Sequence, residues 1–315
     1  MKIKTIATKI FFILSLFLLI DCNKKTDTQK PDTQAGEIIS RITNTKNKIL
    51  EFQKDGKRLC QNEGDCLFLS FWDFDGTILK GDCSEGLSEN GMQIYKGMDQ
   101  LAIEGGYSTV FAKDKFEDFE KEYKKLDLGR GHLVAYELLA QIYKGQDRKK
   151  MEAFSATQFE NSFQKYYFKQ SIEIFNSMRT QKDFRVFVIS ASPDFFVKGA
   201  ANTIKLPPSQ VRGINVEDKD GKLTNRLIFP INYAQGKTES VQKIVNEVLA
   251  EGKYKNVFVL AGFGNSYHTD GEFLSYIAKQ DLPAGKPIAV MVNGGKSPAE
   301  YDGLFYTVSH TMTVQ

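Results

Sequence analysis

Two aspartates one residue apart, Asp73 and Asp75, stand in Asp73-Phe74-Asp75-Gly76-Thr77, directly after the apolar run 66–72. In an extended segment residues two apart point the same way, so both carboxylates can face one pocket. Gly76 lets the chain turn sharply beside them. Two close carboxylates repel, which favours a bound cation and pushes their proton affinities apart. One can then stay ionised as a nucleophile while the other carries a proton. The plainer alternative is a polar turn after a strand, where Asp and Gly are common.

Three more places carry reactive or binding groups. Ser190 and Ala191 open Ser190-Ala191-Ser192-Pro193 after the apolar run 184–189. A hydroxyl and main-chain N–H groups at a strand end make a phosphate cradle, although a serine there also serves simply to cap a following helix. Lys237, in Gly236-Lys237-Thr238, looks like the end of a Walker phosphate loop, but position 231, where that loop needs glycine, holds Ile231. The nucleotide-loop reading therefore fails. A lysine at a helix start can still aim a fixed charge at a phosphate, or lie solvated on the surface. The stretch 262–270 (Gly-Phe-Gly-Asn-Ser-Tyr-His-Thr-Asp) offers flexible backbone and oxygen ligands, Asn265 and Asp270 among them, that suit a hard cation such as magnesium. It lacks the third glycine of a dinucleotide fingerprint, and otherwise reads as a plain strand-to-helix loop.

These groups meet only if the intervening elements bring them together. Short apolar runs at 66–72, 184–189, 257–260 and 287–292 read as strands. Ile38, Ile42, Ile49 and Phe52 share a helical face that Asp55-Gly56 ends. Phe168, Ile172, Phe175 and Met178 mark a helix leading into 184–189, residues 241–249 form another, and a hairpin turn falls near 218–221. Short apolar strands separated by helices argue for a parallel sheet covered on both faces. The block 82–170 follows a helical pattern, with Phe116, Phe119, Tyr123 and Leu126 on one face and a second amphipathic stretch over 133–143. It is far longer than one crossover needs, so an inserted helical domain is expected. Trp72 precedes Asp73 and points to the opposite side of the strand, into the core.

The chain has 315 residues, 41% hydrophobic and 26% charged, enough for one large domain or two modest ones. Lys2, Lys4 and Lys9 precede an apolar run over 10–20 of signal-peptide length. That run ends in Leu19-Ile20-Asp21-Cys22, which resembles a bacterial lipobox, with Asp21 in place of the usual small residue. Cys22 is then the expected lipidation site and the chain an exported, membrane-anchored lipoprotein, periplasmic or at the cell surface. Residues 23–36 have the composition of a solvated tether. Removing residues 1–21 leaves 39 basic against 38 acidic residues of the original 42 and 39, a balance with no electrostatic footprint for nucleic acid. Cys60 and Cys66 flank a polar loop and are free to pair in an oxidising compartment; the sequence leaves that open. With three histidines and no Cys/His cluster, a zinc site is not expected.

The order carboxylate pair, hydroxyl, lysine, metal loop, each after an expected strand, resembles the haloacid dehalogenase superfamily, in its phosphoserine-phosphatase-like branch. The resemblance covers roughly residues 66–295. It implies a three-layer α/β core with a Rossmann-like parallel sheet over 37–81 and 171–315, and a helical cap over 82–170, after a signal peptide at 1–21 and a tether at 22–36. It implies a magnesium-dependent phosphomonoesterase in which Asp73 attacks phosphorus, Asp75 acts as acid and then base, and Lys237 and Ser190 hold the phosphoryl group with Gly76, Thr77 and Ala191. Magnesium is expected on Asp73, Asp75, Asn265 and Asp270. Asn265 departs from the usual aspartate, an amide where the family pattern has a charge.

Asp82 and Glu85 lie where the chain enters the cap, and two extra carboxylates beside a phosphate pocket suit a small substrate that also carries a cation. Phosphoserine phosphatases hold an amino group near the position of Asp82, and Arg130 is a candidate for the substrate carboxylate. Phosphorylcholine phosphatases look similar in the acidic pair and in a loop like 264–270. Tyr95 and Tyr107 are candidate aromatic partners for a quaternary ammonium. His132 and His268 are expected to be structural or solvent-facing. The competing expectation is a surface lipoprotein that keeps this fold as a non-catalytic binding module.

Overall fold

The computed structural model describes residues 33–314. The expected signal segment 1–21, Cys22 and most of the tether lie outside these residues. Helix α1 (Thr33–Glu51) already includes the last four tether residues and buries Ala35, Ile38, Ile42 and Ile49 on one stripe. Asp55 and Gly56 take positive φ and turn the chain between the two-residue strands β1 (Gln53–Lys54) and β2 (Lys57–Arg58). Cys60 and Cys66 are joined by a disulfide, their Cα atoms 5.6 Å apart.

Strand β3 (Cys66–Trp72) is buried at every position, which is why it reads as an unbroken apolar run. The chain then leaves the sheet. The segment after β3 is not helical from its start. It opens with an antiparallel hairpin, β4 (Gly86–Glu89) and β5 (Met92–Lys96), turned at Asn90-Gly91, both at positive φ. Asn-Gly is a strong hairpin signal, and it outweighs the helical pattern expected there. Helices α2 (Met98–Glu104), α3 (Phe116–Arg130), α4 (His132–Gln141) and α5 (Arg148–Asn161) follow, and α6 (Lys169–Arg179) leads back to the sheet.

Strand β6 (Phe184–Pro193) runs four residues past its expected end and gives way to a single helical turn, α7 (Asp194–Val197). Strands β7 (Val211–Lys219) and β8 (Lys222–Ile228) form the expected hairpin. Helix α8 (Gln235–Ala250), strand β9 (Asn256–Gly264), helix α9 (Tyr267–Ala278) and strands β10 (Ile288–Val292) and β11 (Tyr306–Val308) complete the chain. The stretch read as one long loop at 262–270 is therefore the end of β9, two linking residues and the first turn of α9.

The seven-stranded sheet has the order β11-β10-β9-β3-β6-β7-β8, parallel except at the β7–β8 edge. Alternation along β3 divides the core into two apolar layers. Leu67, Leu69 and Phe71 pack with Val241, Ile244 and Val248 of α8 and with Phe273, Leu274 and Ile277 of α9. Phe68 and Trp72 face the other way, with α1 and with Phe175 of α6. The result is the expected three-layer α/β core. Trp72 has no exposed surface. Its ring stacks 3.6 Å from Phe263 and meets Phe175 edge-on at 5.3 Å, while its Nε1 donates to Ser70 Oγ at 3.2 Å.

Emptying that place would leave a cavity directly beneath Asp73. Trp72→Ala is expected to cost about 3–5 kcal/mol, and Trp72→Phe distinctly less, because the stack on Phe263 survives. Urea unfolding followed by far-UV circular dichroism measures both, and equal losses would refute the stacking account.

Candidate active site

The chain runs out along β3 to one side of the sheet and returns to the other side of it by β9. The carboxyl end of β3 is thus the switch point where open α/β sheets bind ligands. The alternation that sends Leu69 and Phe71 toward α8 and α9 sends Asp73 there as well. Lys237, in the first turn of α8, is wholly buried and places Nζ 2.6 Å from Asp73 Oδ1 and 2.6 Å from Asp270 Oδ1. Thr77 Oγ1 donates to the other Asp73 oxygen at 2.9 Å. Both oxygens of Asp73 are thereby held and the plane of its carboxylate is set.

Asp75 is fixed by groups from two other elements. The Cys83 main-chain N–H donates to Oδ1 at 2.6 Å, and the Ser190 and Ser192 hydroxyls donate to Oδ2 at 3.0 and 2.8 Å. The buried Cys83 thiol lies 3.8 Å from the same oxygen. Ser192 and Cys83 went unassigned in the sequence. The signal for Ser192 was present, since residues two apart at a strand end share a side; nothing local marks Cys83.

These groups open into a cavity of about 430 Å³ lined by Asp73, Asp75, Asp82, Glu85, Tyr136 and Lys237, with Gly76, Ala191 and Asn265 in its wall. Gly76 has φ +71°, and a Cβ there would lie 1.9 Å from Asn265 Nδ2, so only glycine lets the Asn265 amide pack onto the loop. The Gly76 N–H is committed to Leu79 O and Gly81 O at 2.8 and 2.9 Å. Ser190, Thr77 and the Gly76 N–H, expected to face a phosphate, are thus spent holding Asp75, Asp73 and the loop itself.

Asp270 is placed differently from the expectation. Its Oδ1 takes Lys237, and its Oδ2 accepts the main-chain N–H groups of Asn265 and Ser266 at 2.9 and 3.0 Å. With no exposed surface and both oxygens engaged, it anchors Lys237 and the β9–α9 link and is not turned toward a ligand. Among the described residues no three His, Cys, Asp or Glu side chains converge as a metal-ligand group. Asn265, packed on the loop that carries Asp73, and the main-chain carbonyls there supply hard oxygen donors that suit magnesium.

Elsewhere in the cavity lining, Asp82 accepts the N–H groups of Ser84 and Glu85 at 2.7 and 2.8 Å, and Glu85 accepts the Tyr123 hydroxyl at 2.7 Å. Tyr136 of α4 supplies the aromatic wall and packs on Tyr233. Tyr95 and Tyr107 do not: Tyr95 donates to Lys80 O at 2.6 Å and packs on Phe163, while Tyr107 packs on Phe154. Arg130 and His268 are exposed and outside the lining, and His132 pairs with Asp127.

Electrostatics follow from burial and crowding. Burial, then Asp270, raises the Asp73 carboxyl to about 7 against the pull of Lys237. Burial raises Asp75 also, opposed by the Cys83 N–H and the Ser192 and Ser190 hydroxyls. Burial, then Asp75 and Glu85, drives Asp82 well up. For Lys237 burial alone would favour the neutral amine, but Asp270 and Asp73 outweigh it and raise its pKa.

Asp73 therefore ties stability to pH. An unfolded aspartate titrates at about 3.9, so between there and about 7 the native state holds the extra proton. Stability from this group is present at low pH and falls as pH rises through that window. In the presence of a chelator, Asp73→Asn is expected to be more stable than the wild type at about pH 8, and to lose the advantage toward about pH 4. Urea midpoints at both pH values check this; a pH-independent difference would refute it.

Residues 70–268 match the family model described as haloacid dehalogenase-like hydrolase. No curated protein matches the sequence. Among solved structures, a protein with unknown function from Bordetella pertussis Tohama I is 16% identical and superposes with a TM-score of 0.51, over 77% of this chain and 98% of its own. A conserved functionally unknown protein from Anaerococcus prevotii DSM 20548 is 13% identical with a TM-score of 0.54, over 84% and 90%. Both likenesses are of fold. A phosphoserine phosphatase carrying a phospho-aspartyl intermediate analogue is more remote, 16% identical with a TM-score of 0.40 over 78% of this chain and 93% of its own.

Proposed function

Taking as premise that this chain belongs to the haloacid dehalogenase-like hydrolases, we propose that it hydrolyses a small phosphate monoester through an aspartyl-phosphate. The observation that carries this reading is the buried Lys237 ammonium held between Asp73 and Asp270 at the floor of the cavity. It keeps the Asp73 carboxylate oriented and places a fixed positive charge where a phosphoryl group must sit.

In the first step an Asp73 oxygen forms a bond to phosphorus, the ester P–O bond breaks, and the leaving oxygen takes a proton from Asp75. In the second, water attacks phosphorus, gives its proton to Asp75, and the Asp73–phosphorus bond breaks to release orthophosphate. Ser190, Ser192 and the Cys83 N–H hold Asp75 at the edge of the cavity between these steps. Lys237 offsets the charge of the transferring group. The Asp73 carboxylate, the Asp75 main-chain carbonyl and the Asn265 side-chain oxygen would hold a magnesium ion, whose contribution is charge neutralisation at the phosphoryl oxygens.

Asp82, Glu85 and Tyr136 of the lining set the substrate. Asp82 and Glu85 beside the Tyr136 ring suit an ester whose alcohol carries a cation, such as phosphorylcholine or phosphoserine. We place the protein outside the cytoplasm, tethered through Cys22. The Cys60–Cys66 disulfide favours an oxidising compartment.

Phosphate release from p-nitrophenyl phosphate, phosphorylcholine and phosphoserine, with and without magnesium, tests the reading. Turnover is expected to require magnesium and to vanish in Asp73→Asn. Glu85→Gln is expected to lower kcat/KM roughly tenfold for the cationic esters and to leave p-nitrophenyl phosphate within about twofold. A folded, magnesium-saturated protein that releases no phosphate from any of them would sink the proposal.

A further inference from the structure

We propose that His310, near the C-terminus, is a positioning residue for the loop that carries Asp73; the inference rests on the phosphatase reading of that loop. A chain of hydrogen bonds connects them through three distant segments. Thr77 Oγ1 donates to Asp73 Oδ2 at 2.9 Å. The main-chain carbonyl of the same Thr77 accepts the hydroxyl of Ser171, in α6, at 2.6 Å. Ser171 Oγ in turn lies 2.8 Å from His310 Nδ1. Thr77 and Ser171 have no exposed surface and His310 has 2%.

The direction of this chain is fixed by proton counting. A carbonyl can only accept, so the single Ser171 proton goes to Thr77 O. The Ser171 oxygen must then accept at the His310 contact, and His310 must carry hydrogen on Nδ1. The imidazole is therefore a donor at the end of a directed relay: His310 Nδ1–H to Ser171, Ser171 to the Thr77 carbonyl, and the Thr77 hydroxyl to the nucleophile.

His310 is itself held in place. Its N–H donates to Asn293 Oδ1 at 3.0 Å and its carbonyl accepts from Asn293 Nδ2 at 2.9 Å. Asn293 sits just past β10 at a φ of 55°, a left-handed turn that Asn tolerates. Beyond His310 the chain lies along the start of α6, with Lys169 N–H on Met312 O and Val314 N–H on Tyr167 O, both at 2.8 Å. Phe168 N–H donates to Ile78 O at 2.8 Å, so this strap backs the loop end that follows Thr77. A side-chain grip on its main chain and a main-chain pairing behind it leave the ring little freedom but to face Ser171. Donation at Ser171 and the Thr77 carbonyl then restricts the rotation of the Thr77 main chain, and with it the hydroxyl that orients Asp73.

The test uses the full-length protein and three substitutions. An asparagine side-chain amide reaches the place of Nδ1, whereas a glutamine amide reaches toward that of Nε2. His310→Asn is expected to retain kcat on p-nitrophenyl phosphate within about threefold, while His310→Gln and His310→Leu lower it roughly tenfold with KM within about twofold. Two readouts do not depend on turnover. The imidazole ¹⁵N spectrum is expected to show the Nδ1–H tautomer, and amide exchange over residues 74–79 is expected to quicken in His310→Leu but not in His310→Asn. An Nε2–H tautomer, or three variants losing kcat in proportion to their loss of thermal stability, would overturn the inference. Absent turnover in the wild type would refute the phosphatase reading, leaving tautomer and exchange to decide the positioning role.

Discussion

One ammonium group with no exposed surface, Lys237 Nζ, sits between two carboxylates, and much of the site depends on that contact. Burying a lone ammonium costs several kcal/mol, and removing either partner of a buried pair leaves the remaining charge uncompensated. Lys237 can therefore occupy this place only while at least one carboxylate, Asp73 or Asp270, stays ionised beside it. Asp73 is fixed by the strand it ends and Asp270 by two main-chain N–H groups of the β9–α9 link. The lysine thus ties three elements, β3, α8 and α9, at the one point where a phosphoryl group would arrive.

That arrangement follows from alternation along β3. Odd positions face the α8–α9 layer and even positions face α1 and α6, so one register sends Phe71 and Asp73 to the same side and Trp72 to the other. A slip of one residue would bury the carboxylate under α6 and expose the indole to the cavity. The stacking of Trp72 on Phe263 of β9 locks the register from the opposite face, so the packing of a core tryptophan and the aim of Asp73 are one constraint.

The fold and half of the site were legible in the sequence, and the division is physical. The strand at 66–72, the 218–221 hairpin and the helix bearing Lys237 are local patterns of burial and turn chemistry, and local patterns can be read. Asp73, Asp75 and Lys237 announce themselves by type, as charged groups at strand ends and helix starts. What the sequence withholds is which groups share a hydrogen bond across long separations. Ser192 on Asp75, Tyr136 in the cavity wall and His310 behind Thr77 depend on α4, α6 and the C-terminal strap all having folded back to one place. The hairpin at Asn90-Gly91 carries a turn signal of its own, ahead of the helical periodicity at 116–126 and 133–143. Asp270 differs from the expectation for a subtler reason: a carboxylate near a metal loop serves equally well as ligand or as anchor, and its complete burial outside the cavity lining, with both oxygens occupied, decides for the anchor.

The same accounting explains why the loop after Asp73 contains so few free donors. Gly76, Thr77 and Ser190 are the groups a phosphate would be expected to meet, yet each is already bonded within the site. A donor bonded to a carboxylate is not lost to a ligand when the ligand is also an anion, because exchanging one acceptor for another costs little while leaving either unmet costs more. Ser190 and Ser192 both donate to one oxygen of Asp75, so the carboxylate would keep one of these bonds if the other were exchanged. On the phosphatase reading proposed above, redundant donation to Asp75 would let a single cluster hold its acid and bind its substrate in turn.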